Sequence, residues 1–366
     1  MSKNTSSTAY YKNALGTKKG NLLKLIECVP NISEGRNDEV INDIVQATKS
    51  EHVEILHVDR GRAANRTVIT FAGTPQDVSN AAFMLIKRTA ELVDMRKHTG
   101  EHPRIGATDV CPFIPIQNTS MADCVAIARA VGKQVGEELH IPVYLYGEAA
   151  YSKERKNLSY LRNGEYEGIT EKLKDPKLLP DFGPPIFNER SGITIIGARS
   201  FLIAYNINLK THDKKLAQEI AGIIRESGIK KRDKEGELII VPGLFPHCAA
   251  LGWFIEDYGI AQVSTNLSNF ELSPMHEVFD CVCQLAKERG ISVSGSEIVG
   301  LLPKKALLDA GLYYLRKKGS LTKASEEDII STAIESLGLN DLYPFKIEEK
   351  LIEERLSSLF NSKKDL

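Results

Sequence analysis

The segment FLIAYNINL (residues 201–209) predicts a strand that starts the second half of the chain. Hydrophobic periodicity and turn residues predict the elements that follow: a helix over 213–227, strands near 249–255 and 260–266, a helix opened by Ser273-Pro274, and the strand ISVSGS (291–296). The order of this half is therefore β-α-β-β-α-β.

The first half has the same order of elements. Its periodic segments are the strand LKLIECV (23–29), a helix capped by Asn37, the strands VEILHV (53–58) and TVITF (67–71), a helix starting at Thr74-Pro75, and the strand VCPFIPI (110–116). The repeated order predicts an α+β fold of two ferredoxin-like subdomains. A crevice between two such units is the default place for a small-molecule site.

The chain of 366 residues exceeds the usual size of one hydrophobic core, so several parts are expected. We predict a disordered or flexible tail over 1–21, subdomains over 22–200 and 201–312, and a helical extension over 313–366. Within the first subdomain, residues 162–192 are rich in loop-forming Gly and Pro. Such a long irregular connection is usually a linker or a binding loop.

The composition excludes several classes of protein. Lys plus Arg total 47 and Asp plus Glu total 48, so no global positive field attracts nucleic acid or a membrane. The longest apolar runs are only as long as strands, which predicts no bilayer span. No cysteine belongs to a CxxC pair, and we expect buried, reduced thiols in a cytoplasmic protein at Cys28, Cys111, Cys124, Cys248, Cys281 and Cys283.

The segment HTGEHPR (98–104) is the strongest candidate for chemistry. Its Gly and Pro argue against a helix, so His102 is expected in a constrained loop. Imidazole titrates near neutral pH and both accepts and donates protons. Arg104 adds a forked cation that suits a carboxylate.

Three other interpretations of this segment are open from the residues alone. A lone loop histidine is more often a structural or surface residue than a catalyst. His98, Glu101 and His102 suggest a metal site, but the position of the Glu and the absence of a predicted helix disfavour it. His98, rather than His102, could also be the catalyst.

Other polar segments are less specific. Asp59 and Asn65-Arg66 lie near strand ends, where side chains face a site or belong to a solvated turn. A kinase interpretation of Asp181-Phe182-Gly183 fails, because no Gly-rich loop or HRD segment accompanies it. The run KKRDK (230–234) is expected to be a solvated turn, or else a contact to an anionic ligand. The sequence contains no GxGxxG, Walker A or GxSxG pattern.

A family resemblance covers residues 24–312. The segments that carry it are IECVPNISEGRN (26–37), NRTVITFAG (65–73), VDMRKHTGEHPRIGATDVCPFIPI (93–116), PVYLYGEAA (142–150), GEYEGITEKL (164–173), PDFGP (180–184) and GARSFLIAYNINL (197–209), followed by GWFIED, QVSTNL, HEVFD and GSEIVGLLPKKALLDA. Together they resemble glutamate formiminotransferase in its stand-alone form. The cyclodeaminase activity of the fused animal members is therefore not expected.

The resemblance implies transfer of a formimino group from N-formimino-L-glutamate to tetrahydrofolate, with or without a polyglutamate tail, in histidine degradation. It implies two ferredoxin-like subdomains, a homodimer and no metal. The family's catalytic histidine lies in its GEHPR motif, which corresponds to His102. The family's folate-contacting loop corresponds to Gly183, Pro184, Pro185, Ile186, Phe187, Asn188, Glu189, Arg190, Ser191 and Gly192.

The implied reaction gives three residues hypothetical roles. His102 would take the proton from N5 of tetrahydrofolate and return it to the departing glutamate nitrogen. Asp59 would pair with the cationic amidinium, and Arg104 would hold a substrate carboxylate. Two alternatives stay open: a formyl group as cargo on the same scaffold, and a folate-binding protein without turnover.

Overall fold

A computed structural model describes residues 24–232, 236–320 and 324–361. The predicted tail, residues 1–21, lies outside the described residues. The described chain forms two compact units that divide between Ser200 and Phe201; the second unit ends at Arg355. Both units combine helices with mainly antiparallel sheets, which confirms the predicted α+β class.

The first unit contains one sheet of seven strands. The strands are β1 (Leu25–Cys28), β2 (Asn31–Ile32), β3 (Val53–Gly61), β4 (Arg66–Gly73), β5 (Thr108–Gln117), β6 (Val143–Gly147) and β7 (Thr194–Ala198). Both β1 and β2 lie between β4 and β5, and all of these pairings are antiparallel. Strand β3 flanks β4, while β7 and β6 extend the other side in parallel with β5.

Three long helices cover one face of this sheet. They are α1 (Asp38–Thr48), α2 (Pro75–Leu92) and α3 (Met121–Glu138), capped by the side chains of Asn37, Thr74 and Ser120. Apolar strand residues such as Ile69 and Phe71 of β4 pack against them in the core. The alternate residues of β4, including Arg66, therefore face away from the helices.

The other face of the first unit is partly covered by shorter segments. The short helices α4 (Leu158–Arg162) and α5 (Ile169–Lys172) lie in the loop-rich region. Leu161 and Ile169 from these helices pack with Val110, Tyr144 and Ile195 of the sheet in a second, smaller apolar cluster. The region predicted as an irregular connection is therefore a folded part of this unit.

The second unit contains a four-stranded antiparallel sheet. Its strands are β8 (Ile203–Leu209), β11 (Cys248–Ile255), β12 (Ile260–Leu267) and β13 (Val293–Val299), in the order β11-β12-β8-β13. The helices α6 (Lys214–Ile224) and α7 (Met275–Glu288) contribute to its core.

A hairpin of β9 (Ile229–Arg232) and β10 (Leu238–Val241) stands apart from this sheet. Lys230 and Lys231 lie within β9, so this part of the predicted turn over 230–234 is a strand. The interpretation as a turn was wrong for these residues, because their backbones pair with β10 while their side chains are exposed.

Most of the C-terminal helical segment belongs to the second unit, which ends at Arg355 within the last helix. Helices α8 (Lys304–Lys317), α9 (Glu326–Ser336), α10 (Ile347–Lys350) and α11 (Ile352–Asn361) follow β13. The predicted boundary between 312 and 313 falls inside α8, whose apolar residues Leu307 and Tyr314 both pack in this core. None of the described helices is both long and apolar enough to cross a bilayer.

Candidate functional site

The GEHPR loop (residues 100–104) lies directly against the turn between β3 and β4. Asn65 joins them: its side chain donates to Thr99 O at 2.9 Å and accepts from Gly35 N at 3.0 Å. Asn65 has a φ of 47°, a left-handed conformation that Asn adopts more readily than most residues. A side chain at Gly100 would come within 2.3 Å of Ala64 O, so this contact requires glycine.

His98 is fixed by hydrogen bonds on both ring nitrogens. Its Nε2 donates to Asn65 O at 2.8 Å, and its Nδ1 accepts from Arg104 Nε at 3.4 Å. Burial lowers the pKa of His98, and the nearby Arg104 charge acts in the same direction. Both ring nitrogens of His98 are therefore engaged by the protein, which suits a structural residue better than a proton carrier.

His102 is arranged differently. Its Nδ1 lies 2.7 Å from Pro103 O, and because a carbonyl only accepts, this nitrogen carries the proton. Nε2 is then the basic nitrogen of the neutral ring. Burial holds the pKa of His102 well below 6.5, and the charges of Arg66 and Arg162 lower it further, against the opposing effect of Asp109. At neutral pH the ring is a base.

Two arginines share one buried carboxylate beside His102. Asp109 Oδ2 accepts from Arg66 Nη1 at 2.6 Å and from Arg162 Nη2, while Asp109 Oδ1 accepts from Ile105 N at 2.9 Å. Burial would raise the pKa of Asp109, but the two arginines hold it below its usual range. Burial lowers the pKa of Arg66 to about 10, which still leaves it protonated at neutral pH. The cluster therefore carries a net positive charge.

The sequence interpretation missed two members of this cluster, Asp109 and Arg162. Asp109 directly precedes the apolar strand segment VCPFIPI, and an acid at the start of such a buried strand was the available signal. Arg162 ends a short helix in the loop-rich region, and no local pattern marks its partner, 53 residues earlier.

Arg104 is engaged by carboxylates of the protein itself. Its Nη1 and Nη2 donate to the two oxygens of Glu167 at 2.8 and 2.6 Å, a bidentate pair, and Nη1 also lies 3.3 Å from Glu165 Oε2. The Arg104 side chain is 12% exposed. A substrate carboxylate would therefore have to take the place of Glu167 to bind this guanidinium.

Asp59 lies within β3 rather than at its end, opposite Val68 of β4. Directly opposed residues of an antiparallel pair point to the same face, and residues two apart on a strand also share a face. Asp59 therefore faces the same side of the sheet as Arg66. It is half-buried.

The ends of the 183–192 loop are fixed to the scaffold. Gly183 has a φ of 80°, and a side chain there would meet Ile141 O at 2.4 Å; Gly192 has a φ of 68° and would meet Ile105 O at 2.3 Å. Near the second end, Ser191 O accepts from Ala107 N at 2.8 Å. Buried Ser191 and Gly192 are thus poor candidates for direct ligand contact.

The middle of the 183–192 loop is accessible. Pro185, Ile186, Glu189 and Arg190 are exposed, and the Ile186 side chain is 69% exposed. The Arg190 guanidinium donates to the carbonyls of Ala90 and Glu91 at the end of α2, at 3.3 and 2.6 Å. This part of the loop can contact a ligand while its backbone stays fixed at several points.

Among the described residues, no group of three His, Cys, Asp or Glu side chains is arranged to hold a metal ion.

Comparisons with known proteins cover both units. A model described as "Formiminotransferase domain, N-terminal subdomain" matches residues 25–199, and one described as "Formiminotransferase domain" matches residues 204–357. The chain is 42% identical over 296 residues to the glutamate formimidoyltransferase of Streptococcus pyogenes serotype M1, covering 81% of this chain and 94% of that one. For the protein of the same name from Thermoplasma acidophilum the identity is 44% over 300 residues, with the same coverage of both chains.

A longer relative matches as well. The formimidoyltransferase-cyclodeaminase of Gallus gallus is 48% identical over 333 residues, which are 91% of this chain and 60% of that protein. The chain therefore spans about 60% of the length of this relative.

Proposed function

Because the chain belongs to the formiminotransferase family, we propose that it transfers the formimino group of N-formimino-L-glutamate to tetrahydrofolate. The products are 5-formiminotetrahydrofolate and L-glutamate, and the reaction belongs to histidine degradation. The environment of His102 is the observation that carries this proposal: a neutral imidazole, with its Nδ1 proton on Pro103 O, lies beside a cationic cluster in the GEHPR loop.

The chemistry requires one proton to change nitrogen. N5 of tetrahydrofolate attacks the amidine carbon, so an N–C bond forms and the C=N bond becomes single. His102 Nε2 takes the proton from N5 and passes it to the nitrogen of the glutamate moiety. The C=N bond then re-forms as the bond from carbon to this nitrogen breaks and glutamate leaves as an amine. An amine leaves readily only when protonated, and acid–base help of this kind contributes about 10²–10⁴-fold.

The lowered pKa of His102 keeps the ring unprotonated at neutral pH and makes its protonated form a stronger acid, although it also weakens the ring as a base. The ring is unprotonated at neutral pH and so accepts the N5 proton without first losing one. Once protonated, it is a stronger acid than an ordinary imidazolium and protonates the departing nitrogen more readily.

Asp59, on the face shared with Arg66, pairs with the amidinium of the donor. Arg104 holds a substrate carboxylate that displaces Glu167.

Tetrahydrofolate is the co-substrate, and the exposed middle of the 183–192 loop contacts it. The accessibility of Ile186 and Glu189 supports this assignment, whereas the buried Ser191 and Gly192 shape the loop.

Each unit is built on a ferredoxin-like sheet. The antiparallel orders β3-β4-β1-β5 and β11-β12-β8-β13, each with two helices between strands, support this. The cytoplasmic location and the homodimer stay predictions.

One assay tests the proposed function. Purified protein is incubated with tetrahydrofolate and either N-formimino-L-glutamate or N-formyl-L-glutamate, and the folate products are separated and identified. We expect 5-formiminotetrahydrofolate from the first donor at a much higher kcat/KM than any product of the second. A preference for the formyl donor would replace the proposed substrate, and folate binding without product from either donor would refute an enzyme.

A further inference from the structure

The GEYEG segment (residues 164–168) lies between the GEHPR loop and the 183–192 loop, and the mechanism above gives Tyr166 no role. A tight turn presents this tyrosine: Gly164 and Glu165 both have positive φ, and Gly168 N donates to Gly164 O at 2.7 Å. The Tyr166 side chain is half-buried and packs beside Phe187.

On one side, Tyr166 contacts the GEHPR loop. Its backbone N–H donates to Arg104 O at 3.0 Å, and the Arg104 guanidinium lies 5.9 Å from the centre of its ring, a cation–π distance. The neighbours Glu165 and Glu167 bind the same guanidinium. The segment therefore contacts both the main chain and the side chain of the residue two positions after His102.

On its other side, Tyr166 contacts the 183–192 loop. Its hydroxyl donates to Glu189 O, and its ring lies 5.3 Å from the Phe187 ring at an interplanar angle of 59°. Both partners lie in the middle of the loop, between the fixed glycines at 183 and 192. One side chain thus connects the loop that carries His102 to the span that we assign to tetrahydrofolate.

We propose that Tyr166 is a positioning residue that fixes the Phe187–Glu189 span of the 183–192 loop relative to the GEHPR loop, and so determines how tightly tetrahydrofolate is held. The folate ligand in this statement rests on the proposed function. The hydroxyl determines this position because it is the donor to Glu189 O, whereas the ring and backbone contacts to Arg104 do not need it. Its loss should therefore affect the folate side and leave the chemistry unchanged.

The test is the variant Tyr166→Phe, which removes one oxygen and keeps the ring. We expect the KM for tetrahydrofolate to rise about fivefold, as for the loss of one hydrogen bond, with kcat and the KM for N-formimino-L-glutamate unchanged. Hydrogen exchange of the backbone amides of residues 186–190 should become faster. Tyr160→Phe is the matched control, because Tyr160 lies nearby on α4 with 41% of its surface exposed; it should behave as the wild type.

Direct titration of tetrahydrofolate by calorimetry separates this proposal from the proposed function. If the wild type binds tetrahydrofolate but transfers no formimino group, the proposed reaction is wrong, and a fivefold weaker binding by Tyr166→Phe still supports the positioning role. If the wild type transfers the group and the variant has the same KM, the positioning role alone is wrong. A parallel loss of kcat and of affinity for both substrates, or no folate binding by the wild type, also refutes it.

Discussion

Four strands of the first sheet, β3-β4-β1-β5, have the same order as β11-β12-β8-β13 of the second, but the two sheets differ in the donors on the face away from their helices. In the second unit the donors are neutral: Trp253 Nε1 donates to Gln262 Oε1 at 2.9 Å, and Gln262 Nε2 donates to Asn208 Oδ1 at 2.8 Å. Where a carboxylate takes part, as Glu297 does with Asn206, the donor is again an amide. In the first unit the side-chain donors to Asp109 are two arginines.

The charge of the donors distinguishes the two sheets. These donors in the second unit are uncharged, and the carboxylates of Glu297 and Asp341 accept hydrogen bonds from its amides, so this network holds no positive charge. Two guanidinium groups on one carboxylate leave a positive charge, and this charge acts on a nearby histidine. Arg162 Nε is also buried without a hydrogen-bond partner among the described residues, and burying an unpaired donor costs free energy. The buried Gln262 side chain has no such unpaired atom. Perturbed groups of this kind concentrate at functional sites.

The largest expected effect is that of His102→Ala. Removing the proton carrier should lower kcat by about 10²–10⁴-fold and leave tetrahydrofolate binding nearly unchanged. The second unit supplies the control, since His276 is also a buried histidine, 7% exposed and stacked 4.4 Å from Tyr313. His276→Ala should destabilise the protein but keep kcat per folded molecule. The value of kcat is measured in steady-state assays well below the unfolding temperature. Equal losses of kcat in the two variants would mean that His102 has no catalytic role that distinguishes it from a buried structural histidine.

The next effect is on stability. Asp109→Asn removes the negative charge that two buried arginines share, and breaking a buried ion pair in this way costs about 3–5 kcal/mol. Urea unfolding measures the change. Asp257→Asn, an exposed acid in the turn after β11, should alter the free energy of unfolding by less than about 0.5 kcal/mol. A loss below 1 kcal/mol for Asp109→Asn would mean that the cluster is solvated.

Local sequence signals predict only part of the fold and of the candidate site. The α+β class and the loop position of His102 follow from periodicity and from Gly and Pro, and so do strands β1, β3, β4, β5, β8, β11, β12 and β13. Strands β2 and β7 were not predicted. The boundary predicted between 312 and 313 follows the last family motif quoted from the sequence, whereas the apolar stripe of α8 continues through Tyr314. Hairpin β9–β10 was missed because exposed lysines in a strand resemble a solvated turn.

The polar networks could not be predicted from local sequence signals, because their partners are far apart in sequence. Arg66 and Arg162 are 43 and 53 residues from Asp109. Asn208 and Gln262 are 54 residues apart and lie on neighbouring strands, so only the register of β8 and β12 brings them together. A polar residue in an alternating strand is ordinarily expected at the solvent face, yet Asn208 and Gln262 are fully buried.

A smaller change in stability tests the neutral network. Gln262→Leu removes the acceptor of Trp253 Nε1 and the donor to Asn208 Oδ1, both buried, and should cost about 1–3 kcal/mol of unfolding free energy. Activity per folded molecule should not change if this network is structural. The control is Ser264→Ala, two residues along the same face of β12 and only half-buried. A loss for Gln262→Leu as large as that for Asp109→Asn would contradict the contrast between neutral and cationic donors.

The smallest expected effect is a displacement of the pH profile. His102 acts as a base only when neutral, so activity is lost as the pH falls through its pKa. Because that pKa lies well below 6.5, kcat/KM of the wild type should stay level through neutral pH and decline only in more acidic solution. Arg162→Gln removes one of the two charges that lower the pKa, so the decline should begin at a higher pH. Arg155→Gln breaks another arginine–carboxylate pair, Arg155 Nη1 to Asp181 Oδ1 at 2.8 Å, away from the charges that act on His102. The acidic decline of its pH profile should coincide with that of the wild type.

If both variants shift this decline equally, or if neither does, the positive charge of the cluster does not act on His102, and the functional contrast between the two sheets fails.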